Sequence, residues 1–410
     1  MNRSFAAIAL QLLLLCTSVQ GVYIYVAQYS GNISVLELTY NHFSGTGSPA
    51  YVENAYFAGF APDKKYSLSL VDNVQTPATY PAWLTLNKDN ILYLVDGVTT
   101  GNGTLTAYRT SSNNGTRPPI ELDSVDCLLD GAYAGFYANG KALAVAHYTS
   151  STFQTYGITD ANGKIKPLQT FTYTMSTTGS STFHEARTDP LEQYVLAGDL
   201  GADKVRIYAI DDDTLLLEER KPLNATPGSG PRHGVFTQEP IRFADGGLDY
   251  VFCLGAEIAG TITAYPVKYL PSRGGIHFVP LPNSTYSSLE PGVPKSDTGG
   301  KGLTAELRLS PDGNFLIVWA IVVMSVSMAL IRYDLQGKLD FVQAAPAGGY
   351  IALTYDLNTG GDLAAVGIQM GQRISILERD LGSGLFKEQV AYIDLDDEIW
   401  GVLWNDKVND

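Results

Sequence analysis

Three ionisable side chains stand where short apolar runs begin or end: His184 in "FHEARTDP", Arg232 in "GPRHGVF" and Glu257 in "YVFCLGAE". Together they offer an imidazole able to move a proton near neutral pH, a guanidinium fork for a carboxylate, and a second acid–base group. Such a set suits acid–base chemistry, provided the fold brings the three together. His147 ("LAVAHY"), Asp199 ("LAGDLG"), Asp96, Gln28 and Gln369 close comparable apolar runs and are further candidates. Asp199 and Asp203, in "DLGAD", also suit turn fixing through side chain–backbone hydrogen bonds. His233, adjacent to Arg232, is expected on the opposite face of its strand, in the core.

The elements that must position these groups recur along the chain. "PAWLTLNKDNILYLVDG" at 81 is matched by "GAYAGFYANGKALAVAHY" at 131, "FHEARTDPLEQYVLAGDLG" at 183, "PRHGVFTQEP" at 231, "TAELRLSPDGNFLIVWAI" at 304 and "YIALTYDLNTGGDLAAVGIQ" at 350. The starts are 50, 52, 48, 73 and 46 residues apart, and the long interval carries a proline-rich insert, "VPLPNSTYSSLEPGVPKSDTGG", expected as a loop. Each unit has a short strand, a turn such as Asn139-Gly140, Asp312-Gly313 or Gly360-Gly361, and an apolar second strand. Several strands in about 50 residues make a β-propeller blade. "VYIYVAQYSGNISVLELTY" reads as second and third strands without a first, and "EIWGVLW" as a first strand without a second. Pairing Trp400–Trp404 with Val22–Tyr40 completes a seventh blade, so the fold class is all-β: a seven-bladed propeller whose C-terminal strand closes the ring. In that architecture first-strand starts and second-strand ends share one mouth of the central channel, where His184, Arg232 and Glu257 should converge.

Residues 1–21 have the pattern of a signal peptide, with Arg3 ahead of the apolar run Phe5–Cys16 and small residues Val19 and Gly21 for cleavage. The propeller is expected over 22–410, exported from the cell. Sequons at Asn32, Asn102, Asn114, Asn224 and Asn283 then read as glycosylation sites. A net charge of −15 argues against nucleic acid. "FLIVWAIVVMSVSMALI" (315–331) has 17 residues where a span needs about 20, and reads as a buried hairpin. Cys127 and Cys253 are expected unpaired, because blades separate them. Composition leaves the oligomeric state open.

"FHEARTDPLEQYVLAGDLGADKVRIY", "GPRHGVF" and "AELRLSPDGNFLIV" closely resemble the lactonase family of seven-bladed propellers, which includes 6-phosphogluconolactonase and fungal 3-carboxy-cis,cis-muconate cyclase. The resemblance implies a cofactor-free site where a histidine, two arginines and a glutamate surround an anionic lactone or its diene carboxylate. Carried over by motif, the histidine falls on His184, the first arginine on Arg232 and the glutamate on Glu257. The sequence departs from the pattern at Thr182, often a second histidine, and at Ile321, near the place of the second arginine. Three functions follow as expectations: a carboxymuconate cyclase-like intramolecular lyase, a lactone hydrolase, or a surface glycoprotein that has lost catalysis.

Overall fold

The computed structural model describes residues 21–40, 65–110, 118–173, 180–243, 246–289, 291, 303–321, 327–333, 339–346 and 352–406. Residues 1–20 and the sequon at Asn114 lie outside this set. Seven antiparallel sheets follow one another along the chain. Their first strands are β4 (Pro81–Leu86), β8 (Gly131–Tyr137), β12 (Phe183–Thr188), β16 (Pro231–Phe236), β22 (Leu303–Leu309), β26 (Ala352–Leu357) and β30 (Ile399–Trp404). These touch in ring order, β30 meeting both β26 and β4. They are the innermost strands of blades 2 to 7 and, for β30, of blade 1.

Closure is a strand pairing. β1 (Val22–Gln28) pairs with β2 (Asn32–Tyr40) on one side and with β30 on the other, from Ile24 opposite Trp404 to Gln28 opposite Ile399. Trp404 is fully buried and its indole N–H donates to the Asp356 carbonyl of blade 7 at 2.9 Å. The core is divided into seven apolar clusters, one between each pair of neighbouring blades. The seam between blades 7 and 1 joins Ile374 and Ile376 to Ile24, Val26 and Trp404. Second strands such as Ile91–Asp96 and Tyr194–Asp199 are buried at every position, because a propeller sheet is covered on both faces.

The apolar run 315–331 contributes Phe315–Ile321 and Ser327–Tyr333, which pair antiparallel. No helix among the described residues is long and apolar enough to cross a membrane. The proline-rich insert is not wholly a loop: Thr285–Ser287 forms a short strand on β19 (Thr261–Tyr269) of blade 5. Cys127 and Cys253 are both free and buried, and burial pushes each thiol up to about 12. Turn geometry follows residue type, Asn139 and Gly140 both taking positive φ, of 56° and 79°.

Candidate active site

The mouth owes its shape to one repeated irregularity. At the start of the first strand the ladder slips, so that two residues face one: between Pro81 and Trp83, Gly131 and Tyr133, Phe183 and Glu185, Pro231 and His233, and Ala352 and Thr354. A wider slip separates Thr304 from Leu307. β30 skips Trp400 in the same way, its Ile399 and Gly401 facing Gln28 and Ala27. A bulge adds an unpaired residue and re-aims its side chain. Five of those residues, Ala82, Ala132, His184, Arg232 and Trp400, line one cavity of about 460 Å³.

The bulge also corrects the expectation for His233. Strict alternation would put it behind Arg232, but with the ladder slipped both side chains reach the cavity. His233 Nε2 lies 3.3 Å from His184 Nδ1, and the rings meet edge to face at 5.2 Å. Burial and the Arg232 charge hold His184 well below the usual imidazole range. Burial, His184 and then three arginines, Arg232, Arg187 and Arg308, do the same for His233. Both rings are therefore neutral near pH 7. With the shared hydrogen on His184 Nδ1, His184 Nε2 is a base; with it on His233 Nε2, His184 Nε2–H is a hydrogen-bond donor.

Arg232 Nη1 donates to Glu257 Oε2 in an ion pair. Its Nε is buried without a protein partner, as is His233 Nδ1. The guanidinium is thus anchored at one end, while its Nε–H has no protein partner. Glu257 is in place because Asp203 accepts from the N–H groups of Gly228 and Gly230 (2.7 and 2.9 Å), and the Gly230 carbonyl accepts from Glu257 N at 2.7 Å. Below the mouth, first-strand Glu-x-Arg pairs form a charged belt. Glu185 binds Arg187 at 2.8 Å, and Glu306 binds Arg308, which reaches Asp356 at 3.0 Å. Glu185 also accepts from Gly234 N, tying blade 4 to the strand that carries Arg232.

The second-strand ends are corrected by a single position. Asp96, His147 and Asp199 are fully or almost fully buried and do not line the cavity. Each ties down the segment before its own blade's first strand. Asp96 accepts from the N–H groups of Thr79 and Tyr80, His147 Nδ1–H donates to the Leu129 carbonyl, and Asp199 accepts from Thr182 N and Ser181 Oγ. Burial pushes His147 down to about 4. Alternation sends the next residue to the mouth instead, so Gly97, Tyr148 and Glu257 line it. Gln28 is buried and accepts from Ser34 Oγ, and Gln369 donates to Glu398 at 3.1 Å; neither lines the cavity. Ile321 ends its strand opposite Leu303, and its side chain lies outside the described set.

Several lining residues escaped the sequence reading: Tyr80, Trp83, Asp130, Tyr148, Glu306 and Trp400. Aligning the first strands would have found Trp83 and Trp400, since they share the register of His184, Arg232 and His233. Asp130 holds a left-handed backbone (φ 57°) at the loop leading into β8, and burial raises its carboxyl. Among the described residues no group of three or more His, Cys, Asp or Glu is placed to hold a metal.

Comparison with known proteins adds the lineage. A 6-phosphogluconolactonase of Formosa agariphila is 26% identical over 301 residues, covering 69% of this chain and 76% of that protein. A probable 6-phosphogluconolactonase of Arthroderma benhamiae is 26% identical, covering 62% of this chain and 61% of its own length. The periplasmic gluconolactonase of Pseudomonas aeruginosa superimposes with a TM-score of 0.73 at 21% identity, covering 94% of this chain and 99% of that one. A putative 6-phosphogluconolactonase of Bacteroides fragilis gives 0.72 at 20%, covering 95% and 99%. The family described as lactonase, 7-bladed beta-propeller, matches residues 45–403, and the chain belongs to that family of seven-bladed lactonase propellers.

Proposed function

We propose that this propeller hydrolyses a lactone at the His184–His233–Arg232 mouth. The observation that carries the reading is a hydrogen-bonded pair of neutral imidazoles beside a guanidinium with an unpartnered N–H, in one cavity. His184 Nε2 takes a proton from water as its oxygen adds to the ring carbonyl carbon. The Arg232 guanidinium donates to the oxyanion that develops, in a site where such donors matter most. Collapse breaks the ring C–O bond, and the proton returns from His184 to the departing oxygen, giving the hydroxy acid. His233 holds the ring and sets its tautomer. Relatives named as gluconolactonases support the reaction class.

The test is a lactone panel on the purified full chain beside His184→Ala. Turnover by the wild type that falls at least 100-fold in the variant is expected. A panel hydrolysed equally by both proteins would overturn the assignment. Muconate-type ring closure is the second reading, favoured by the same imidazole pair: a His184 that has taken up a proton gives it to carbon, returning to neutral imidazole, while a carboxylate oxygen held by Arg232 closes on the double bond. Turnover of carboxymuconates without lactones would select it.

Export is part of the proposal. It rests on the pattern in residues 1–21, and on Asn102, Asn224 and Asn283, whose side chains are exposed; Asn32 is partly buried. A mature N-terminus at Val22 and a glycosidase-sensitive mass are expected from protein expressed in a secreting eukaryotic cell. Intracellular, unprocessed protein would remove this part.

A further inference from the structure

The cavity has two unlike walls. His184, Arg232, His233, Glu257 and Glu306 form the polar one. Facing them are Tyr80, Ala82, Trp83, Ala132 and Trp400. Tyr80 meets Trp400 edge to face at 4.5 Å, and on its outer side meets Tyr29 at 5.0 Å. Tyr29 is 54% exposed, so the aromatic surface runs from the cavity out to solvent. Trp400 Nε1–H is buried without a protein partner.

Among the described lining residues Arg232 is the one cation, against the carboxyl groups of Asp130, Glu257 and Glu306. Arg232 is already paired with Glu257, and Glu306 with Arg308. A phosphate dianion brought here would meet one shared guanidinium and an excess of like charge. A polyol would have to strip its hydroxyls of water against the carbon faces of Ala82, Trp83, Ala132 and Trp400. An uncharged ring with an aromatic or aliphatic substituent meets neither cost and buries its apolar face against Tyr80 and Trp400.

We infer that the substrate is an uncharged lactone bearing an aromatic or aliphatic group, its ester at the His184–Arg232 wall and its apolar part along Trp400, Tyr80 and Tyr29. The described charges disfavour phosphorylated sugar lactones. This rests on the lactone reading of the same mouth, so binding and turnover are measured separately.

Dihydrocoumarin, glucono-δ-lactone and 6-phosphogluconolactone are compared on the wild-type chain by kcat/KM, and on His184→Ala by tryptophan fluorescence. Dihydrocoumarin is expected to lead the phosphorylated lactone by roughly 100-fold in both, with gluconolactone between them. Tyr80→Ala should weaken dihydrocoumarin binding about tenfold and gluconolactone binding by a smaller factor. Tyr29→Ala, at the exposed rim, should give a smaller loss of the same sign without risk to folding. Preference for 6-phosphogluconolactone, or no binding of dihydrocoumarin to His184→Ala at millimolar concentration, overturns the inference. Binding of dihydrocoumarin without wild-type turnover of any lactone upholds it and overturns hydrolysis instead.

Discussion

On the side of blades 4 and 5, the bulged first-strand residues are His184 and Arg232; on the side of blades 1 to 3, the same positions hold Trp400, Ala82 and Ala132. The backbone is the same device in all five. One half of the mouth presents neutral imidazoles and a guanidinium, the other flat apolar surface. The ring supplies equivalent sockets, and residue type alone divides them into a wall able to move protons and a wall able to hold a ring. Tyr148 joins the two, its ring 5.6 Å from His184 and its hydroxyl pushed up by burial and then by the Glu257 charge.

The largest effect should come from destroying both walls together. Ending the chain at Asp397 removes β30, strips Trp400 from the mouth and exposes the edge of β1. Aggregation or failure to accumulate as folded protein is expected; an unchanged melting temperature would show that the ring closes without β30. Next, His184→Ala should lower kcat by about 10²–10⁴-fold with little change in KM, because it touches the polar wall alone. A rise in KM with kcat intact would make the residue a binding group.

Arg232→Gln should cost roughly 10²-fold in kcat/KM and also move the pH profile. Burial and the Arg232 charge both depress His184, so the wild-type base stays neutral and active as pH falls through 6.5. Removing the positive neighbour raises the imidazole towards its ordinary value, and the acidic limb should shift upward in the variant. A limb that stays put or moves down would mean that the charge does not reach the ring. The smallest effect is expected away from both walls. Cys127 and Cys253, buried with thiols pushed up to about 12, should resist alkylation at pH 8 in the folded chain and label in urea.

Legibility differed between the walls for a physical reason. His184, Arg232 and Glu257 were readable because ionisable groups beside apolar runs are conspicuous, and because the repeat placed them at one end of their strands. Trp83, Tyr80 and Trp400 were not, since an aromatic in a β-rich chain with 25 tyrosines announces nothing by type. Asp96, His147 and Asp199 were conspicuous too, yet hold loops instead of facing the mouth.

The sequence alone determined the blade count, the turn positions, the closing strand and the end of the channel at which His184, Arg232 and Glu257 meet, since all of these follow from periodicity and turn residues. The tertiary structure decided which residue of each neighbouring pair faces the cavity. Alternation along a strand has a period of two, so one inserted residue reverses every assignment beyond it. The bulge before His233 leaves no mark in composition: it arises where seven twisted strands crowd one axis, and there it turns a core histidine into the partner of His184.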